Sequence, residues 1–107
     1  MTDPENREST AQSQILIDAD AAFRVSARRN RLLAHWAAEQ MVLTPEETAA
    51  YSKAVIQSDF EGAGDEDVIR KVLGDLVAAG CDVDQDGVRA ALEEKAVEAR
   101  RQLMGES

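Results

Sequence analysis

DEDVIRKVLGDLVAAG, residues Asp65 to Gly80, decides the fold. Ile69, Val72, Leu73 and Leu76 recur at i, i+3, i+4 and i+7, the spacing that puts side chains on one face of an α-helix. Asp65, Glu66 and Asp67 fall in what would be its first turn, where negative charge complements the helix macrodipole. Gly80 closes the run as a C-terminal cap. The spacing therefore predicts a helix that is apolar on one side only, and such a helix is stable in water only against others of its kind.

The stretches on either side supply them. Gly62 and Gly64 end a preceding helix that opens at Thr44-Pro45-Glu46-Glu47. There a hydroxyl serves as N-cap, proline takes a position whose N–H has no partner, and a carboxylate three residues on reaches back to the cap. Before it, Asp18 to Leu43 contains neither Gly nor Pro and is rich in Ala, Arg, Leu and Glu, which predicts one long helix. After Gly80, Asp84 or Asp86 caps a fourth helix with Val88, Leu92, Ala96, Ala99 and Leu103 on one stripe, ending before Gly105. No segment has the alternation of a strand. The fold class predicted is all-α, a four-helix bundle over residues 18–107 preceded by a flexible N-terminal tail over residues 1–17, whose residues 1 to about 14 are too polar to offset their own ordering entropy.

The 107 residues suit a single domain with a modest core. Phe23, Trp36, Tyr51 and Phe60 are the aromatics, so the core must come mainly from Ala, Leu, Val and Ile, with Trp36 expected to be buried in it. A formal net charge of −9 repels phosphate backbones and anionic lipid, which argues against nucleic acid as a partner. No apolar run approaches the ~20 residues that span a bilayer, and the N-terminus lacks the regions of a signal peptide. A cytoplasmic protein without a transmembrane segment, monomeric when free, is the expectation. Cys81 is alone and allows no intramolecular disulfide.

Catalytic chemistry finds little to stand on. The neighbours of His35 at helical spacing are Arg31, Leu32, Ala38 and Glu39, which make neither a nucleophilic nor a metal constellation. No glycine-rich phosphate loop is present, and the chain is not expected to be an enzyme. Asp82, Asp84, Asp86, Gly87 and Glu93 do fill positions 1, 3, 5, 6 and 12 of a calcium loop. Against that, Arg89 stands where an apolar residue belongs, Ala90 offers no oxygen at position 9, and no second loop exists to pair with. A capped acidic turn is the favoured reading, with a single-loop calcium module the alternative. Arg24, Arg28 and Arg31 recur at i, i+4 and i+7, with Arg29 beside them. They make either a solvated face paired with acids such as Asp20, or a set of guanidinium groups that recognise carboxylates or phosphates of a partner or nucleotide. The two readings stand level on the residues alone.

Two strings break the tie. Ala27-Arg28-Arg29-Asn30-Arg31-Leu32-Leu33 with Trp36-Ala37-Ala38-Glu39, and Asp59-Phe60-Glu61-Gly62-Ala63-Gly64-Asp65-Glu66-Asp67-Val68 with Arg70-Lys71 and Ala78-Ala79-Gly80, resemble the zeta subunit family of alphaproteobacterial F-type ATP synthases. The likeness runs on through Arg89, Glu93-Glu94 and Ala99-Arg100-Arg101-Gln102 to Met104, and so covers about residues 23 to 104. The resemblance implies a four-helix bundle that binds the catalytic-sector subunits of the ATP synthase, at the periphery of the membrane-bound enzyme, and restrains ATP hydrolysis. It implies no required cofactor, with ADP or ATP as a ligand; a nucleotide sensor that does not inhibit the enzyme is a further alternative. In the family the inhibitory element is an N-terminal segment that becomes helical on binding. Here that role would fall to Ile15, Leu16, Ile17 and Phe23, with Arg24, Arg28, Arg29 and Arg31 as partner or nucleotide contacts. This chain departs from the family in having no aromatic before Phe23.

Overall fold

A computed structural model describes residues 4–61 and 64–106, with side chains from Asp20 to Asp59 and from Gly64 to Gly105. Four helices account for it: α1 (Pro4–Met41), α2 (Pro45–Glu61), α3 (Asp65–Ala78) and α4 (Gln85–Glu106), with no strand among the described residues. The chain is the all-α four-helix protein that its punctuation predicts. Short connections reverse the direction each time. Along α1 and α4, Gln40 lies by Cys81 and Arg28 by Gln102, so those two helices are also antiparallel.

Local chemistry accounts for the boundaries. At the start of α2 the Thr44 N–H donates to Glu47 Oε1 at 2.9 Å, and the Glu47 N–H donates to Thr44 Oγ1 at 3.1 Å, a reciprocal capping box. Those bonds hold the Glu47 carboxyl below its ordinary pKa, the backbone bond first. Helix α3 starts after Gly64, which has φ 134° and gives no side-chain cap, and the three acids of its first turn serve in place of one. Its last residue is followed by Ala79 and then Gly80 at φ 83°. The Gly80 N–H reaches the Val77 carbonyl at 3.0 Å and the Cys81 N–H the Leu76 carbonyl at 2.9 Å, the paired bonds of a Schellman turn. Asp84, not Asp86, caps α4: its Oδ1 accepts the Gly87 N–H at 2.8 Å.

Two helix limits differ from those read in the sequence. Helix α1 begins at Pro4 rather than near Asp18, because nothing between them breaks a helix and proline is well suited to the first position. A 38-residue helix is about 57 Å long, well beyond its neighbours, and it sets the 65 Å long axis against widths of 27 and 22 Å. Its leading part therefore projects from the bundle. A helical stretch clear of its neighbours is marginal by itself in water. Helix α4, for its part, passes through Gly105 to Glu106.

The core joins all four elements. Leu33, Ala34 and Ala37 of α1, Val55 of α2, Val68, Ile69, Val72 and Leu76 of α3, and Val88, Ala91 and Leu92 of α4 form one buried cluster. Ala34, Ala37 and Ala38 are small, so α1 comes close to its neighbours and packs against α2, α3 and α4 alike. Among the described residues the backbones of α2 and α4 do not come close. Trp36 is half-buried at the edge of this core rather than inside it, because the α1 stripe that points inward is Asn30, Leu33, Ala34, Ala37 and Ala38.

Candidate functional site

Beside its buried stripe, α1 presents a polar one. Arg24, Arg28, Arg31, His35 and Glu39 follow at i, i+4, i+7, i+11 and i+15, and they border two adjoining cavities. The first, about 640 Å³, lies between α1 and α2, with Lys53 and Ile56 on the far wall. The second, about 430 Å³, runs on toward the start of the bundle, where Leu103 of α4 joins Ala27 and Arg28. Arg31 and Ile56 border both, so the two make one trough. Its walls carry cations, while Ile56, Leu43 and Leu103 give it an apolar lining.

The four arginines have different surroundings. Arg24 pairs with Asp20 at 3.0 Å on the exposed surface, the i, i+4 partner expected for a solvated face. Arg28 Nη1 donates to Gln102 Oε1 at 3.0 Å; the Gln102 amide donates in turn to Glu98 at 3.3 Å, which Lys95 also meets at 3.3 Å. That chain ties α1 to α4. Arg29 turns inward, its side chain only 12% exposed. Its Nε donates to the buried Asn30 side chain at 3.0 Å, Nη1 meets Asp65 at 3.0 Å, and Nη2 lies 3.9 Å from Asp59. It thereby clamps the end of α2 and the start of α3 onto α1. Arg31 is exposed and borders both parts of the trough.

The N-terminal candidates divide at the limit of description. Phe23 is 52% exposed on α1 where the helix enters the bundle. Ile15, Leu16 and Ile17 lie within the helical run of α1, but their side chains are outside the described residues.

Asp82, Asp84, Asp86 and Glu93 are all exposed. Because α4 begins at Gln85, Asp86 and Glu93 sit on a helix and the backbone does not wrap as a calcium loop does. Asp84 is occupied as the cap, and a Cβ on Gly87 would stand 3.0 Å from Val83 Cγ2, so the tight first turn uses the missing side chain. Arg89 binds Glu66 at 2.7 Å, fastening α4 to α3, and that contact raises its pKa. Among the described residues no three His, Cys, Asp or Glu are placed to share a metal ion.

One group outside the trough is out of the ordinary. The Tyr51 hydroxyl is buried with no partner in hydrogen-bonding geometry, and the Lys71 ammonium lies 5.6 Å from the centre of its ring. Burial above all, then the nearby Asp75 carboxylate, which Lys71 already holds at 3.2 Å, pushes the phenol pKa up.

Lys53, Ile56 and Leu103 complete the trough, and none of the three is among the site candidates marked by the sequence. The signal for Lys53 and Ile56 is the spacing Ala49, Lys53 and Ile56, one edge of α2 facing the arginine stripe once the Thr44 turn reverses the chain.

The family model for ATPase inhibitor subunit zeta matches residues 1–102. Among solved structures, a solution NMR structure of a protein is 44% identical, with a TM-score of 0.69 and an alignment covering 79% of this chain and 96% of that one. No curated protein matches the chain.

Proposed function

The chain belongs to the ATPase inhibitor subunit zeta family, and on that premise we propose that it is a non-catalytic regulator that binds the catalytic sector of an F-type ATP synthase and restrains ATP hydrolysis. The observation that carries the reading is the extent of the family match, which takes in both the projecting part of α1 and the bundle. In this reading the bundle docks. The segment up to about Ala22 inhibits by wedging a helix between catalytic subunits, using Ile15, Leu16, Ile17 and, at its base, Phe23. Ordering that helix costs entropy, so its apolar side chains must outweigh the cost at the interface. ADP or ATP belongs to the same reading as a ligand of the bundle, and the site of action is the peripheral, catalytic face of the membrane-bound enzyme. No described helix is long and apolar enough to cross the membrane itself.

The test is ATP hydrolysis by the cognate enzyme with the full chain and with a chain lacking residues 1–17, each accompanied by a binding measurement. Both forms should bind and only the full chain should inhibit. Failure of both to associate with the enzyme would end the regulator reading, and binding without inhibition by either would remove the inhibitory role.

A further inference from the structure

We propose that the trough between α1 and α2 is a second docking point, and that its occupant is an acidic amphipathic helix of the partner enzyme. The proposal rests on the regulator reading above and adds to it a surface separate from the N-terminal segment.

Length is the first argument. The trough borders α1 from Arg24 to Glu39, about 22 Å at 1.5 Å per residue, which matches about four turns of a second helix. Charge is the second. Arg31 and Lys53 border the trough against a single acid, Glu39, with Arg24, paired to Asp20, and Arg28, bound to Gln102, further along the same side, in a chain whose net charge is −9. Local cation density against the average field of the molecule selects an acidic ligand. Arg31 and Lys53 are exposed on opposite walls, so a helix lying between them can offer a carboxylate to each. The lining supplies the third argument. Leu43, Ile56 and Leu103 give the trough an apolar side that suits the apolar face of an amphipathic helix. Over the end of α1 nearer Arg24 the backbones of α2 and α4 stay apart, and Ile56 of one and Leu103 of the other border the space between them.

The experiment measures affinity of the full chain for the cognate catalytic sector. The double variant R31E/K53E changes two exposed side chains and should fold as the parent does by circular dichroism. The variant R100E/R101E makes the same change in net charge on the exposed side of α4. Binding should weaken at least tenfold for R31E/K53E and less than threefold for R100E/R101E. Carbodiimide coupling in the complex should join Lys53 to an Asp or Glu on a helix of the enzyme. Equal losses for the two variants would mean that the overall field acts, and would overturn the trough. So would unchanged affinity of R31E/K53E, with the regulator reading left standing. Displacement of the bound chain by ADP, with amide shifts at Arg31 and Lys53, would give the trough to a phosphate ligand and overturn the helix. No binding by the parent chain would overturn both readings together.

Discussion

Val42 ends the first helix in a conformation that its side chain resists. Its φ is 57°, it is 86% exposed, and its N–H and that of Leu43 bond back to Glu39 and Ala38 at 3.2 and 3.0 Å. The pattern repeats the turn after α3, where glycine occupies the corresponding position at φ 83°. A β-branched residue there is strained by about 1 to 2 kcal/mol, and its exposure means that little packing offsets the strain. Val42→Gly should therefore stabilise the protein by about 1 kcal/mol after the greater entropy of unfolded glycine is counted. Urea unfolding would measure it, and a loss of stability would mean that Val42 packs better than its exposure implies. Cys81 belongs to the same corner: its thiol donates to the Gln40 carbonyl at 3.4 Å, holding the turn after α3 against the end of α1.

Among the elements, α2 carries the most explicit start signal, and it should be visible in the pH dependence of stability. Glu47 bonds to Thr44 as a carboxylate, and its folded pKa is depressed. A depressed folded pKa means that the stabilisation is present above the unfolded pKa of about 4.3 and is lost as pH falls through the lower folded value. Glu47→Gln keeps a side-chain oxygen for the Thr44 N–H but does not titrate. The parent should lose stability faster than the variant below about pH 4.3, as followed by helicity through thermal melts at stepped pH. Parallel curves would show that the capping box does not hold in solution. Helix α3 has no such device at its start, and the Arg29 clamp to Asp65 fixes its first residue from outside the element.

The whole molecule is longer than a compact chain of its size. Its radius of gyration is 17.4 Å, whereas about 13 Å is typical of 107 residues folded as one compact domain. The projecting part of α1 accounts for the difference. Small-angle scattering of a chain lacking residues 1–17 should fall to about 12 to 13 Å. A value that stays near that of the full chain would mean that the bundle itself is elongated. Extension and inhibition are linked in the proposed function, since a helix held clear of the bundle can enter a crevice that the bundle cannot.

How many helices form was settled by the sequence itself. Thr44-Pro45-Glu46-Glu47 and Gly80 are local signals, and each acts through bonds within a few residues of itself, so no knowledge of the rest of the chain is needed to read them. The basic stripe was legible for the same reason, because i, i+4 and i+7 share a face wherever the helix lies. What each arginine does was not legible. Arg29 is inward because the α2–α3 junction, about thirty residues on in sequence, brings Asp59 and Asp65 to it, and nothing in its own helix marks that approach. Lys53 joins the stripe only across the cavity between α1 and α2, from a different helix. The choice of Asp84 over Asp86 as cap, and the half-burial of Trp36, likewise followed from packing. Short-range bonds decide the elements; the relative rotation of those elements decides which side chains meet, and only the tertiary structure holds that information.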